Sequence, residues 1–154
     1  MSYDTPIRRV LIGINLDDTS SRAFYAGLNV AAKYGAQTFV LHVSEPIRAF
    51  DYGKKRYVET RETIEKVQEG VSARLDELWT QGGLEAVDRR KVQVLVRGGR
   101  SYQELVDTAE AKQVDLIVIG VGTGAVAEQV LRRARCSVFC VRPPVEQDVE
   151  QDHE

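Results

Sequence analysis

The chain has 154 residues, 43% of them hydrophobic and 29% charged, with a formal net charge of -2. That length and balance suit one domain with a substantial core, and the near-neutral charge excludes the electrostatic footprint expected of a nucleic-acid or anionic-membrane binder. The basic clusters Lys54-Lys55-Arg56 and Arg89-Arg90-Lys91 are short, offset by acids, and read as solvated surface. No apolar stretch approaches the ~20 residues that span a bilayer. The opening "MSYDTPIRR" leads directly into a strand rather than a signal-peptide core, so a cytoplasmic location is expected.

Residues 8–15, RRVLIGIN, form a continuous apolar run with β-branched residues and no polar alternation, as a strand covered on both faces requires. Asp17, Asp18, Thr19 and Ser20 then offer N-caps for a helix whose positions Ala23, Gly27, Val30, Ala31 and Tyr34 recur at helical spacing, with Gly35 as its stop. Residues 37–43, QTFVLHV, are the second strand, and an irregular connection containing Pro46, Tyr52 and Gly53 follows. Ile64, Val67, Val71, Leu75 and Leu78 mark one face of a second helix, ended by Gly82 and Gly83. Residues 91–97 are the third strand. After the turn at Gly98-Gly99, residues 101–113 are a third helix, with Ser101 as N-cap and Glu104 completing a capping box. Residues 115–120 are the fourth strand, 125–134 the fourth helix and 137–142 the fifth strand, cut off by Pro143-Pro144.

Five strands alternating with four helices imply an α/β domain built on a right-handed, doubly wound parallel sheet. Leu11, Ile12, Ile14, Val40, Leu116, Ile117 and Val118 are its expected core. The domain covers residues 1–144, and the acidic residues 145–154, VEQDVEQDHE, read as a flexible tail in which His153 is solvated. Cys136 and Cys140 share one face of a strand about 13 Å apart, too far for a disulfide or a common metal, and read as buried reduced thiols. His42 has no nucleophile or ligand set near it and reads as a satisfied strand-end histidine.

Gly120, Gly122 and Gly124 lie between the fourth strand and the fourth helix, where α/β proteins often hold phosphates. Two readings stand. The preferred one is a tight turn that needs positive φ; the other is an anion site on the amides of Thr123, Gly124 and Ala125. No glycine-x-serine-x-glycine elbow, metal-spaced His/Cys set or lysine-bearing phosphate loop occurs, so no catalytic or metal residue is assigned. The loop after the first strand, NLDDTSS, has no glycine, unlike the serine- and glycine-rich loop of related ATP pyrophosphatase folds.

Together, RRVLIGINLDDTSSRAF, FVLHV, GRSYQELVDTA, DLIVIG and AVAEQVLRRARCSVFCVR, in this order and spacing, resemble the universal stress proteins over roughly residues 7–143. The resemblance implies a Rossmann-like fold with strand order 3-2-1-4-5, a homodimer, and, in one branch, ATP held where the strand order reverses. That branch is similar to a pattern whose first and third glycines lie thirteen positions apart. Here Gly120 matches the first and Gly124 the third, only four positions on, with Thr123 at the place of the second glycine and Ala125 replacing a hydroxyl residue. Four residues present too few amides to encircle three phosphates. Asn15 stands in for the family's acidic residue after the first strand, and Asp17, two residues on, is either its substitute or, as preferred, a helix cap. Val43 matches the position whose backbone meets adenine.

The contacts for any nucleotide or anion are therefore Asn15, Asp17, Val43, Gly120, Gly122, Gly124 and Ala125. The resemblance implies a homodimeric stress-response interaction module without a full ATP site, without a cofactor beyond a weakly held nucleotide or anion, and with an unidentified protein as partner. The alternative is a nucleotide-responsive regulator binding AMP, a cyclic nucleotide or ATP. The fifth strand, apolar on both faces and free of inward charge, is an edge that calls for pairing, so the homodimer is expected through Ser137 to Arg142.

Overall fold

The computed structural model describes residues 6–15, 20–84, 87–122 and 124–143. In chain order the elements are β1 (Arg9–Ile14), α1 (Ser21–Tyr34), β2 (Gln37–Ser44), β3 (Ile47–Asp51), β4 (Arg56–Thr60), α2 (Ile64–Gln81), β5 (Val92–Gly98), α3 (Ser101–Ala111), β6 (Leu116–Gly120), α4 (Val126–Arg133) and β7 (Ser137–Val141). A 3₁₀ turn, Arg89–Lys91, leads into β5.

Five strands form one sheet in the order β5-β2-β1-β6-β7, and all four pairings are parallel. Counted by the five strands read from the sequence, this is the order 3-2-1-4-5. Successive residues of a strand face opposite sides, and the core divides accordingly. Val10, Ile12 and Ile14 pack against α1 and α2, while Leu11 packs with Ile117, Ile119 and residues of α3 and α4. All seven expected core residues are buried, Leu116 being the most accessible at 8%. Asp115 fastens the amino-terminal edge of the sheet: its Oδ2 accepts the backbone N–H groups of Arg8 and Arg9 at 2.8 and 3.0 Å.

Several expectations change. The connection after β2 is not irregular: β3 and β4 form a separate antiparallel ribbon, with Phe50 opposite Tyr57 and Asp51 opposite Arg56. It contributes no residue to either hydrophobic cluster, so the buried-face alternation that reveals a strand in sequence was never imposed on it.

Ser101 is not the cap of α3. The helix begins at Ser101 itself, Arg100 occupies the cap position, and the Ser101 N–H donates to Glu45 Oε1 at 2.8 Å. A carboxylate fifty-six residues away thus supplies what the local capping box was expected to supply. Gly35 does end α1, in the left-handed conformation at φ 63°. Cys136 precedes β7 rather than lying in it, and both thiols are half-buried and free. Asp17, Thr123 and residues 144–154, which hold the domain boundary and the acidic tail, lie outside the described residues.

Candidate functional site

The order reverses between β1 and β6, and ligands of doubly wound sheets bind outside the carboxyl ends of strands at such a point. Parallel register brings three candidate residues to that rim. Ile14 lies opposite His42, so Asn15 and Val43 follow side by side; Val118 lies opposite Ile12, which brings Gly120 level with Ile14.

The rim is closed more tightly than its glycines suggested. The Asn15 N–H donates to Ser20 Oγ at 2.8 Å, and that hydroxyl donates back to the Asn15 carbonyl at 3.1 Å. Ser20, one of the cap candidates, makes no cap hydrogen bond to α1 and instead consumes both main-chain groups of Asn15. On the other strand, the Val121 N–H donates to the Val141 carbonyl at 2.9 Å, which removes the first amide past Gly120 from any anion.

Gly122 and Gly124 are exposed, and neither has a left-handed φ. A Cβ at either position would meet nothing within 4 Å. Among the described residues a left-handed φ occurs at Gly35, Gly83 and Gly99, and at Lys55 and Gln113, and so not at Gly122 or Gly124; Thr123, between them, lies outside the described residues. Ala125 caps α4 without a side-chain hydrogen bond. The first turn of α4 carries Glu128, whose carboxylate pairs with Arg132 at 3.0 Å. An acid in that turn already takes the favourable end of the helix dipole and opposes an incoming anion.

His42, beneath the rim, is buried, and its Nδ1 lies 3.1 Å from the Ile14 carbonyl. A carbonyl only accepts, which puts the proton on Nδ1 and makes His42 a brace between β2 and β1. No buried side-chain nitrogen or oxygen among the described residues lacks a partner, so no orphaned polar atom points to a missing ligand. Two shallow depressions, about 90 and 190 Å³, lie at the opposite, amino-terminal edge of the sheet. The larger is lined by Val106, Ala109, Val114, Ala134 and Cys136 among others, and both fall short of the ~300 Å³ of ordinary small-molecule sites.

Of the described amides at the carboxyl end of β6, that of Val121 is spent on Val141, and the first turn of the adjoining helix presents Glu128. Among the described residues no group of three His, Cys, Asp or Glu could hold a metal, and no helix is long and apolar enough to cross a membrane. Sequence reasoning missed two features here. Glu45 occupies the N-terminus of α3, and Arg61 lies over Gly98, where a Cβ would come within 2.7 Å of its Nη1. Both join segments far apart in the chain, which local motifs do not register.

Residues 6–142 match the universal stress protein family. A universal stress protein of Methanocaldococcus jannaschii is 24% identical over 155 residues, covering 89% of this chain and 83% of its own. Among solved structures, UspA of Lactobacillus plantarum superposes with a TM-score of 0.65 at 18% identity, over 90% of this chain and 100% of that one. A universal stress protein in complex with cAMP gives 0.65 at 19% identity, over 91% and 100% of the two chains. One from Archaeoglobus fulgidus in complex with dAMP gives 0.59 at 22%, over 88% and 98%. The reversal between β1 and β6, the core on both faces of the sheet and a match that runs through all seven strands lead to one conclusion: the chain belongs to the universal stress protein family.

Proposed function

We propose that the protein is a homodimeric stress-response interaction module, with no full ATP site and no catalysis of its own. The observation that carries this reading is the outer edge of β7. The Val141 carbonyl is turned toward β6. Because backbone groups alternate along a strand, Val138 and Cys140 present their N–H and C=O groups outward. Phe139 on this strand is 44% exposed and Leu131 on the neighbouring α4 is 56% exposed. An apolar strand whose outer hydrogen bonds are unmade among the described residues is satisfied by the same strand of a second copy running antiparallel across a two-fold axis. A functional unit of residues 1–144 with the acidic residues 145–154 as an appendage belongs to the same reading, and two free cysteines fit a reducing, cytoplasmic setting.

A second reading has a specific observation in its favour. Solved universal stress proteins that share this fold are in complex with cAMP and dAMP. A regulator holding such a monophosphate would use the backbone of Val43 for the base, with Asn15 and Gly120 beside it and the amides of Gly122, Gly124 and Ala125 for one phosphate. Asp17, outside the described residues, completes that set. Heat denaturation of the purified protein, followed by chromatography of the supernatant, separates the two: no released nucleotide agrees with the interaction module, and stoichiometric AMP or cyclic nucleotide establishes the regulator.

A further inference from the structure

The β3–β4 ribbon places aromatic side chains in water, and no described residue covers them. Phe50 is 39%, Tyr57 61% and Tyr52 85% exposed. Residues paired across an antiparallel ribbon share a face, so Phe50, Tyr57, Arg48 and Glu59 lie together. Phe50 meets Tyr57 and Tyr52 edge to face at 5.2 and 5.0 Å, and the Arg48 guanidinium lies 5.0 Å from the Tyr57 ring centre. Beside the rings, the turn gathers Lys54, Lys55 and Arg56, none ion-paired to a described residue. Asp51, the nearest acid, spends its Oδ1 on the amides of Gly53 and Lys54 at 2.9 and 3.1 Å, which fixes the turn. With Arg61, residues 47–61 carry five cations against the two acids Asp51 and Glu59, in a chain that is net acidic.

We propose that this face of the ribbon binds single-stranded nucleic acid, with Tyr52 and Tyr57 stacking on bases and Arg48, Lys54 and Lys55 meeting phosphates. The sequence alone reads Lys54-Lys55-Arg56 as solvated surface offset by acids; the structure sets that cluster at the turn that carries Tyr52, with Asp51, one of those acids, engaged by the turn amides. Ribbon stability alone accounts for the Phe50–Tyr57 pair across the strands. It accounts for the contact of Tyr52 with Phe50 but not for the rest of that ring, which lies beyond both strands and is left in solvent. An acidic peptide would answer the cations but has no planar base to set against the rings, whereas successive bases stack on aromatic side chains whatever their sequence.

The test is fluorescence anisotropy of the full-length protein with a labelled uridine oligonucleotide of about twelve residues. At about 50 mM salt, binding in the range of tens of micromolar is expected, and for about three phosphate contacts it weakens roughly twentyfold at about 200 mM. Tyr52→Ala should weaken binding about fivefold or more, Tyr52→Phe should retain it, and Lys54→Gln with Lys55→Gln should flatten the salt dependence. Because Tyr52 lies in the turn and outside both hydrophobic clusters, its variants are expected to melt with the wild type. No binding at low salt, or binding indifferent to Tyr52→Ala, overturns the proposal. So does competition by polyglutamate as effective as that by unlabelled RNA, which would reassign the ribbon to acidic protein segments.

Discussion

The backbone N–H of Val121 donates to the carbonyl of Val141 at 2.9 Å, so the chain leaving β6 stays fastened to the end of β7 before it turns into α4. The hydrogen bond removes an amide from the place where a nucleotide phosphate would lie, and it shows which way the backbone groups of β7 point. Both consequences can be measured.

For nucleotides, the short connection and the acid in the first turn of α4 predict Mg-ATP binding no tighter than about 100 μM, or roughly -5.5 kcal/mol. Isothermal calorimetry checks this, and a low-micromolar constant would sink it. The glycines of the loop should be dispensable to the fold: Gly122→Ala and Gly124→Ala each leave stability within about 0.5 kcal/mol of wild type in urea titration, since the added methyl group meets open space.

Gly27 behaves oppositely. It is buried on α1, and a Cβ there would come within 2.6 Å of Ile12 Cγ1 on β1, the close approach that lets the helix lie against the sheet. Gly27→Ala gains about 1 kcal/mol of helix propensity and loses about 1–3 kcal/mol to overpacking. Urea unfolding should therefore show net destabilisation of up to about 2 kcal/mol, and a clear gain in stability would contradict the packing described.

Glu45 and Ser101 give a paired prediction. Glu45→Ala removes the group that accepts the first amide of α3 and should cost about 1 kcal/mol. Ser101→Ala, which leaves that amide in place, should change stability by less than about 0.5 kcal/mol. The reverse order of effects would restore the local capping box.

Much of this was legible in the chain. The parallel strands announced themselves as apolar runs because both faces of the sheet are covered, and Gly35 marked the end of α1 because only a residue free at φ 63° fits there. What escaped was fixed by other means. The ribbon of β3 and β4 has no buried face to impose alternation. The cap of α3 comes from a residue brought near by the β2–β5 pairing. The glycines after Gly120 looked like conformational necessities and are open loop. In each case the deciding partner is distant in sequence or is solvent.

Burial pushes the Cys136 thiol up from its ordinary value, with the carboxylate of Asp115 acting in the same direction and hydrogen bonds from the backbone opposing them. A raised thiol makes its contribution to stability below the ordinary thiol range. As pH rises through that range the unfolded chain ionises first, and stability falls until the folded thiol ionises too. Urea midpoints should decline across that interval in wild type and decline less in Cys136→Ala. Iodoacetamide should also modify Cys136 at least about tenfold more slowly in the folded protein than in urea, because the thiolate is the nucleophile; equal rates would contradict the burial.

The central claim is the homodimer through β7, and light scattering of the purified protein at micromolar concentration, wild type against Cys140→Pro, tests it most directly. Val141 faces β6, so Cys140, one residue earlier, points its N–H outward; a proline there removes a donor from the free edge while leaving the β6–β7 hydrogen bonds in place. The account predicts the mass of two chains for the wild type and of one chain for the variant, with unchanged circular dichroism. A wild type that scatters as a single chain, or a dimer indifferent to the substitution, would contradict it.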